Sequence, residues 1–468
     1  MEGQDQAGAG PSRHPFGGAT EQIAFDPAEA GAALRQLPTS AAVFALYGAE
    51  AHAEPYIGRT PNLRERLRRL LQPSAKHPRR LQLAGRVRRI EWRLTGSDFE
   101  SLFTQFCLLE EIYGPKALER MHLRAPAFVR YLGSNAYPRI VVTQRPSQRE
   151  GDWAYGPFAS RAGAERFVDE ALKLFLLRRC TEDLEPNPSH PGCVYSEMKM
   201  CLAPCYQGCS DERYGQEAAA VESFLATRGE SRLVTLRAER EQASASLEFE
   251  AAAALHGQVQ RVEGVRALAA ELVRPLSQLR AVILQAAASL DEVAVFLFED
   301  GRLRGPAGFS TLGMRIQNEQ SGSSSLFAQP MVVEAVVEKA GNREQGTGNR
   351  DEGRGTRDEG TGTREQGTGN GPGSAGQVTA EAAVGPVRVA RGVLEGRLEE
   401  ALAALAEGQA ASGTVRQGHL ALLKRWYYRP EARRTGEIFF PGEEGGWPAK
   451  AILRGIGRVA ARALKGEA

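Results

Sequence analysis

Cysteine is almost absent outside one short stretch. Five of the six cysteines fall between Cys180 and Cys209, and the rest of the chain holds only Cys107. The chain also lacks any run approaching the ~18 apolar residues that a membrane span requires, so no membrane partner is expected. Its first residues, Met1-Glu2-Gly3-Gln4-Asp5, have neither the basic nor the apolar region of a secretory signal. The expected compartment is therefore cytoplasmic, where thiols stay reduced and clustered cysteines more often bind metal than pair. Net charge is small, +2 over 468 residues, but unevenly spread. Between Arg59 and Arg93 twelve Lys and Arg residues stand against Glu65 and Glu91 alone. Solvated helix faces usually mix signs, so this stretch is a candidate phosphate-binding face.

The cysteine spacing narrows the chemistry. Twelve residues separate Cys180 from Cys193, seven separate Cys193 from Cys201, and three separate Cys201 from Cys205. Four thiolates suit zinc by default, but structural zinc sites usually contain two short-spaced pairs. Only Cys201 and Cys205 are close here, so soft ligands alone favour an iron–sulfur cluster over zinc. A disulfide pair or unrelated buried thiols is the competing reading.

A chain of this length suggests about three domains, and 42% hydrophobic residues can build real cores. The pattern predicts an α/β (α+β), multidomain protein. Residues 1–22 are rich in Gly, Gln, Ala and Pro and read as a disordered tail. Residues 38–128 hold two short strands, Ala41–Tyr47 and Glu54–Gly58, and a basic helix opened by Asn62. A strand over Val87–Leu94 and a helix over Phe99–Tyr113, capped by the polar turn at 95–98, complete that unit. Residues 129–212 hold a strand at Pro138–Thr143 and a helix from Arg161 to Arg178 that leads into the cysteines. Residues 214–272 contain no proline and read as a two-helix hairpin broken near Gly229. Glu292–Phe309 reads as a β-hairpin, with Asp300-Gly301 suited to a primed turn. The polar repeats at 341–376 cannot bury a core and read as a disordered insertion. A helix near Gly392–Ala406, the segment LLKRWYYRP and a basic helix end the chain.

The block Pro55-Tyr56-Ile57-Gly58-Arg59-Thr60-Pro61-Asn62-Leu63-Arg64-Glu65-Arg66 carries its own chemistry. A tyrosine at a strand end, a glycine permitting close approach and arginines on the next helix can converge on a phosphate. Tyr56 could act as proton acceptor or nucleophile, and Arg66 could stabilise the charge that develops on the phosphorus. Arg64, Arg68 and Arg69 are candidate DNA contacts. The block resembles the second half of a GIY-YIG nuclease motif. The resemblance extends through Tyr155-Gly156-Pro157-Phe158, Leu172-Lys173-Leu174-Phe175, Arg179-Cys180 and Cys201-Leu202-Ala203-Pro204-Cys205 to the UvrC family of the ABC excinuclease, including its short Cho-type relatives. It implies a nucleotide-excision-repair role and a [4Fe–4S] cluster on Cys180, Cys193, Cys201 and Cys205, with Cys209 outside. Leu236–Val262 resembles the UVR motif, through which that family binds the excinuclease component UvrB, on Ala243, Leu247, Phe249, Glu250, Ala252, Ala253 and Val259. An aromatic such as Phe249 is the kind of anchor small helical interfaces use; an ordinary helical hairpin would look similar. Residues 275–340 and 380–460 faintly resemble the opening of the family's RNase H-like second nuclease domain.

Departures from the family pattern bear on activity. Phe44 stands where the motif's first half supplies a tyrosine. Arg59 replaces a lysine, keeping charge but not ammonium geometry. The metal-binding glutamate of the family falls on Gln105, five residues after Glu100, and a neutral amide holds Mg2+ or Mn2+ far more weakly than a carboxylate. Glu110 lies about 140° further around the helix, a poor substitute. The pattern retains no metal ligand at the nuclease site. Two readings follow: a DNA- and partner-binding repair protein whose nuclease is lost, and an active, metal-dependent, single-incision endonuclease of the Cho type. A zinc-binding regulator unrelated to repair is the third.

Overall fold

The structure, a computed structural model, describes residues 20–50, 53–72, 83–145, 149–314, 389–442 and 444–466. Three four-stranded antiparallel sheets organise them.

The first sheet has the order β1-β4-β2-β3, built from β1 (Glu21–Ala24), β2 (Ala42–Tyr47), β3 (Tyr56–Thr60) and β4 (Arg89–Leu94). Alternation along β2 sorts its two faces. Ala42, Phe44 and Leu46 pack with helix α2 (Leu63–Leu71) and short helix α1 (Ala30–Gln36), while Val43 and Ala45 meet helix α3 (Asp98–Tyr113). Helix α2 buries Leu63, Leu67, Leu70 and Leu71, one apolar stripe, and turns its arginines outward. Asn62 caps it by accepting from Glu65 N at 2.9 Å. Ser97 caps α3 in the same way, accepting from Glu100 N at 3.1 Å.

Helix α3 is buried on most sides. Leu108 and Ile112 lie against the first sheet. Phe99, Phe103 and Phe106 enter a second core with Phe296, Leu420 and Trp426. Phe99 meets Phe296 edge-on, with ring centres 5.1 Å apart. A short helix, α4 (Ala117–Arg120), follows.

The second sheet, β6-β5-β7-β8, comprises β5 (Ala127–Leu132), β6 (Arg139–Thr143), β7 (Asp152–Phe158) and β8 (Arg274–Pro275). Sequence patterning finds β6 but not β5 or β7, which lie buried within this core. Helix α5 runs only from Arg161 to Ala171 rather than to Arg178. Beyond it Phe175 and Leu177, two positions apart, both enter the core, a spacing that suits extended chain. After a turn of helix, α6 (Val194–Glu197), come three helices where the sequence suggests two: α7 (Asp211–Ala226), α8 (Glu230–Ala245) and α9 (Phe249–Ala267). Gly229 (φ 86°) makes the first break and Leu247 (φ 61°) the second, so the hairpin proper is α8–α9. Arg237–Glu263 and Arg266–Glu230 pairs, both 2.9 Å, join its arms.

The third sheet, β11-β10-β9-β12, uses β9 (Ala281–Ala286), β10 (Glu292–Glu299), β11 (Arg302–Ser310) and β12 (Glu437–Phe439). Both faces are covered, which is why β9 and β10 read as nearly continuous apolar runs. Val282, Leu284, Val293, Val295 and Leu297 meet helices α10 (Arg391–Ala406) and α12 (Ala449–Leu464). Ala281, Ile283, Ala294, Phe296 and Phe298 meet α3 and helix α11 (Gly413–Tyr427). The Asp300-Gly301 turn has positive φ at both positions, as a primed hairpin turn requires. The 341–376 repeats and nearly all of the 1–22 tail lie outside the described residues.

Candidate functional site

The structure divides the five nuclease-like residues between two faces of the first sheet. Cross-strand pairs Phe44–Gly58 and Leu46–Tyr56 face α2, whereas Val43–Arg59 and Ala45–Ile57 face α3. On the α2 face, Arg66 Nη2 donates to Tyr56 Oη at 3.4 Å, and the Tyr56 ring lies 6.2 Å from that of Phe44. Gly58 is required by close approach: a Cβ there would sit 2.7 Å from Phe44 Cζ. The space opened by the glycine is filled by the Phe44 ring. Arg59 and Gln105 belong to the other face, where Gln105 is half-buried and shares its helix face with Leu108 and Ile112.

Arg59 is engaged. Its Nη1 bonds Asp98 Oδ1 at the start of α3, and Arg429 Nη2 holds Asp98 Oδ2 at 2.5 Å. Burial works against ionisation of Asp98, but the Arg429 hydrogen bond and the charges of Arg59 and Arg429 outweigh it and keep the carboxyl below its ordinary value. Glu100 is also committed: it accepts from Gly96 N at 2.8 Å, and burial raises its pKa. Glu110 lines a cavity of about 90 Å3 with Ser412 and Thr414, away from the first sheet.

The proposed DNA-contact arginines differ in availability. Arg64 Nε donates to Leu37 O at 2.6 Å, so this arginine also ties α2 to the preceding loop. Arg68 and Arg69 are exposed and share Glu65, at 3.0 and 2.8 Å. Glu65 holds both guanidiniums side by side while offsetting part of their charge.

Four of the five clustered cysteines are neighbours. The charges of Cys193, Cys205 and Cys180 all bear on Cys201, and those of Cys193 and Cys180 bear on Cys205. Burial is the chief cause of the raised pKa of Cys201 and of Cys205. Cys209 instead responds to burial, Arg213 and Asp211. Among the described residues no three His, Cys, Asp or Glu side chains are drawn together closely enough to form an ion's ligand sphere. The four thiols are the donors that could hold a soft metal centre, and their surroundings fit an anionic one. Arg178 is only 3% exposed, and its Nη1 reaches Cys180 Sγ at 3.5 Å. Its other contacts are the carbonyls of Tyr137 and Glu182. Among the described residues it has no carboxylate partner, and a buried cation so placed gains from negative charge on sulfur.

At the α8–α9 turn, Leu247 and Phe249 are 71% and 67% exposed, and Glu250 beside them is exposed too. Ala243 and Val259 face inward. These adjacent large apolar side chains lie at the turn and outside the core.

A family model described as the UvrC/Cho excinuclease middle domain matches residues 128–224. The chain is UvrC-like. It is 28% identical over 255 residues to UvrABC system protein C of Alcanivorax borkumensis, covering 54% of this chain and 41% of that protein. Against the same-named protein of Ruminiclostridium cellulolyticum it is 29% identical over 297 residues, covering 62% and 47%. Against that of Pseudomonas syringae pv. syringae it is 28% identical over 235 residues, covering 50% and 38%. The UvrC-like chain thus spans less than half the length of these curated relatives. No solved structure matches it. The matched region runs from the second sheet through α5 and the cysteines into α7.

Sequence reasoning missed Asp98, Arg429 and Arg178 as site residues of this UvrC-like chain. Arg178 had a signal, a basic residue two positions before Cys180. Asp98 and Arg429 are 331 positions apart and had none.

Proposed function

We propose that this chain is a nucleotide-excision-repair protein that binds DNA and docks on UvrB, its partner in the ABC excinuclease, with a GIY-YIG-like domain that has lost its endonuclease activity. The observation that carries the loss is the state of α3. Gln105 stands where a carboxylate would hold Mg2+ or Mn2+, Asp98 is taken by Arg59 and Arg429, and Glu100 by Gly96 N. Hard divalent ions need anionic oxygen, so these residues offer little to bind one. Arg68 and Arg69 would meet the DNA backbone, and Leu247, Phe249 and Glu250 would meet UvrB. Cys180, Cys193, Cys201 and Cys205 would hold a [4Fe–4S] cluster, with Arg178 offsetting its negative charge. When bound, the cluster would tie together segments that otherwise depend on loops, since ligand binding adds to folding free energy.

The retained Tyr56–Arg66 contact favours a second reading, the active single-incision endonuclease. A nicking assay on damaged duplex with Mg2+ or Mn2+ separates the two. Under the first reading the wild type nicks feebly, Gln105→Glu raises the rate, and Phe44→Tyr adds to it. Brisk wild-type nicking that Gln105→Glu leaves unchanged and Tyr56→Phe abolishes would establish the second.

A further inference from the structure

The seam between strand β11 and helix α11 gathers three arginines with no carboxylate partner among the described residues. Arg302 and Arg304 are two positions apart and share a face of β11. Both reach the loop before α11: Arg302 Nη1 donates to Gln409 O at 3.3 Å, and Arg304 Nη2 to Gly408 O and Gln409 O, each at 3.4 Å. Arg416, in the first turn of α11, lies across the hairpin turn; a Cβ on Gly301 would fall 2.7 Å from its Cγ and Nε.

Two like charges are thus directed at one carbonyl with a third alongside. Among the described residues none of the three makes an ion pair. Arg304 Nη1 and Arg416 Nε are buried without an acceptor. Nearby acids do not supply one. Glu299 pairs with Arg280 at 2.5 Å. Glu110 bears on Cys107, as does Arg302, without pairing with it. Behind the seam, His419 accepts from Leu303 N at 2.9 Å through Nδ1. Burial and the charges of Arg302 and Arg304 lower its pKa to about 3, so it adds no cation of its own at neutral pH.

A half-buried guanidinium can be matched by a carboxylate, as Arg458 is by Glu437 at 2.6 Å. Here no matching carboxylate is found among the described residues. Guanidinium forks fit the tetrahedral oxyanion of a phosphate, which can accept several of their N–H groups at once. We infer that Arg302, Arg304 and Arg416 form a phosphate-binding site at the β11–α11 seam. The phosphate is either a phosphodiester of a nucleic-acid strand or a free phosphate.

The test uses the full chain. Inorganic phosphate is titrated against sodium chloride of matched ionic strength, following the thermal midpoint and binding heat, and a short single-stranded oligodeoxynucleotide is then added in competition. Phosphate should raise the midpoint where chloride does not. Arg304→Gln with Arg416→Gln should weaken phosphate binding at least tenfold. Arg391→Gln, which breaks only the surface pair with Glu395, should leave it unchanged. Arg416→Gln alone serves if the double variant fails to fold, because that side chain makes no hydrogen bond among the described residues. Displacement of phosphate by the oligonucleotide, lost in the variant, identifies a phosphodiester site; phosphate binding indifferent to the oligonucleotide identifies a free-phosphate site. Phosphate acting no differently from chloride, or binding wild type and variants alike, overturns the inference.

Discussion

Replacing Asp98 with Asn tests how the N-terminal and C-terminal parts of this chain are joined. Asp98 opens α3 and is the common partner of Arg59, on β3, and Arg429, just beyond α11. Asn keeps the shape and loses the charge. The Asp98 side chain is 40% exposed and those of Arg59 and Arg429 are 33% and 25% exposed, so water screens part of the attraction. Surface pairs contribute up to about 1 kcal/mol each, so both together amount to about 1 to 2 kcal/mol after that discount. That is about a five- to thirty-fold change in local opening. Amide hydrogen exchange near pH 7 should show it at Ser101, bonded to Ser97 O, and at Arg429, bonded to Trp426 O. The pH dependence has a definite sign. The folded carboxyl titrates below its unfolded value of about 4, so its contribution is full above that pH and disappears as pH falls through the folded value. A urea midpoint difference between wild type and Asp98→Asn should accordingly be present at pH 7 and vanish in acid. Equal exchange at Ser101 and Arg429 in both proteins, or a deficit that persists in strong acid, would refute the reasoning.

Purified anaerobically, the protein should be brown. Cys201→Ser or Cys205→Ser should bleach it, Cys209→Ser should not, and Arg178→Met should speed iron loss, all read by absorbance and iron assay; stoichiometric zinc in fresh material would reject the cluster. Phe249→Ala should cost about 2 kcal/mol in a titration against UvrB, as for an aromatic hot spot; unchanged affinity would move docking elsewhere. Arg68→Glu with Arg69→Glu should weaken DNA binding about equally for all sequences and flatten its salt dependence, because phosphate contacts position without specifying. Selective loss on one sequence would contradict a backbone-contact role.

Local elements of this protein were legible wherever sequence-near forces build them. The Asn62 and Ser97 caps, the leucine stripe of α2 and the Asp300-Gly301 turn depend on residues within a few positions of one another. The cysteine spacing also singled out a cluster, whose Cys180, Cys193, Cys201 and Cys205 bear electrostatically on one another in the structure. Strands β5 and β7 escaped notice because burial in a shared core leaves no clear alternation. The end of α5 was set by the entry of Leu172, Phe175 and Leu177 into a core that its own segment does not encode. Tertiary structure alone decided the electrostatics. It placed Tyr56 and Gln105 on opposite faces of one sheet, joined Asp98 to Arg429 across 331 positions, and left Arg302, Arg304 and Arg416 without a carboxylate partner among the described residues. Charge pairing depends on distance in space, and in a folded chain that distance is fixed by the packing of whole elements.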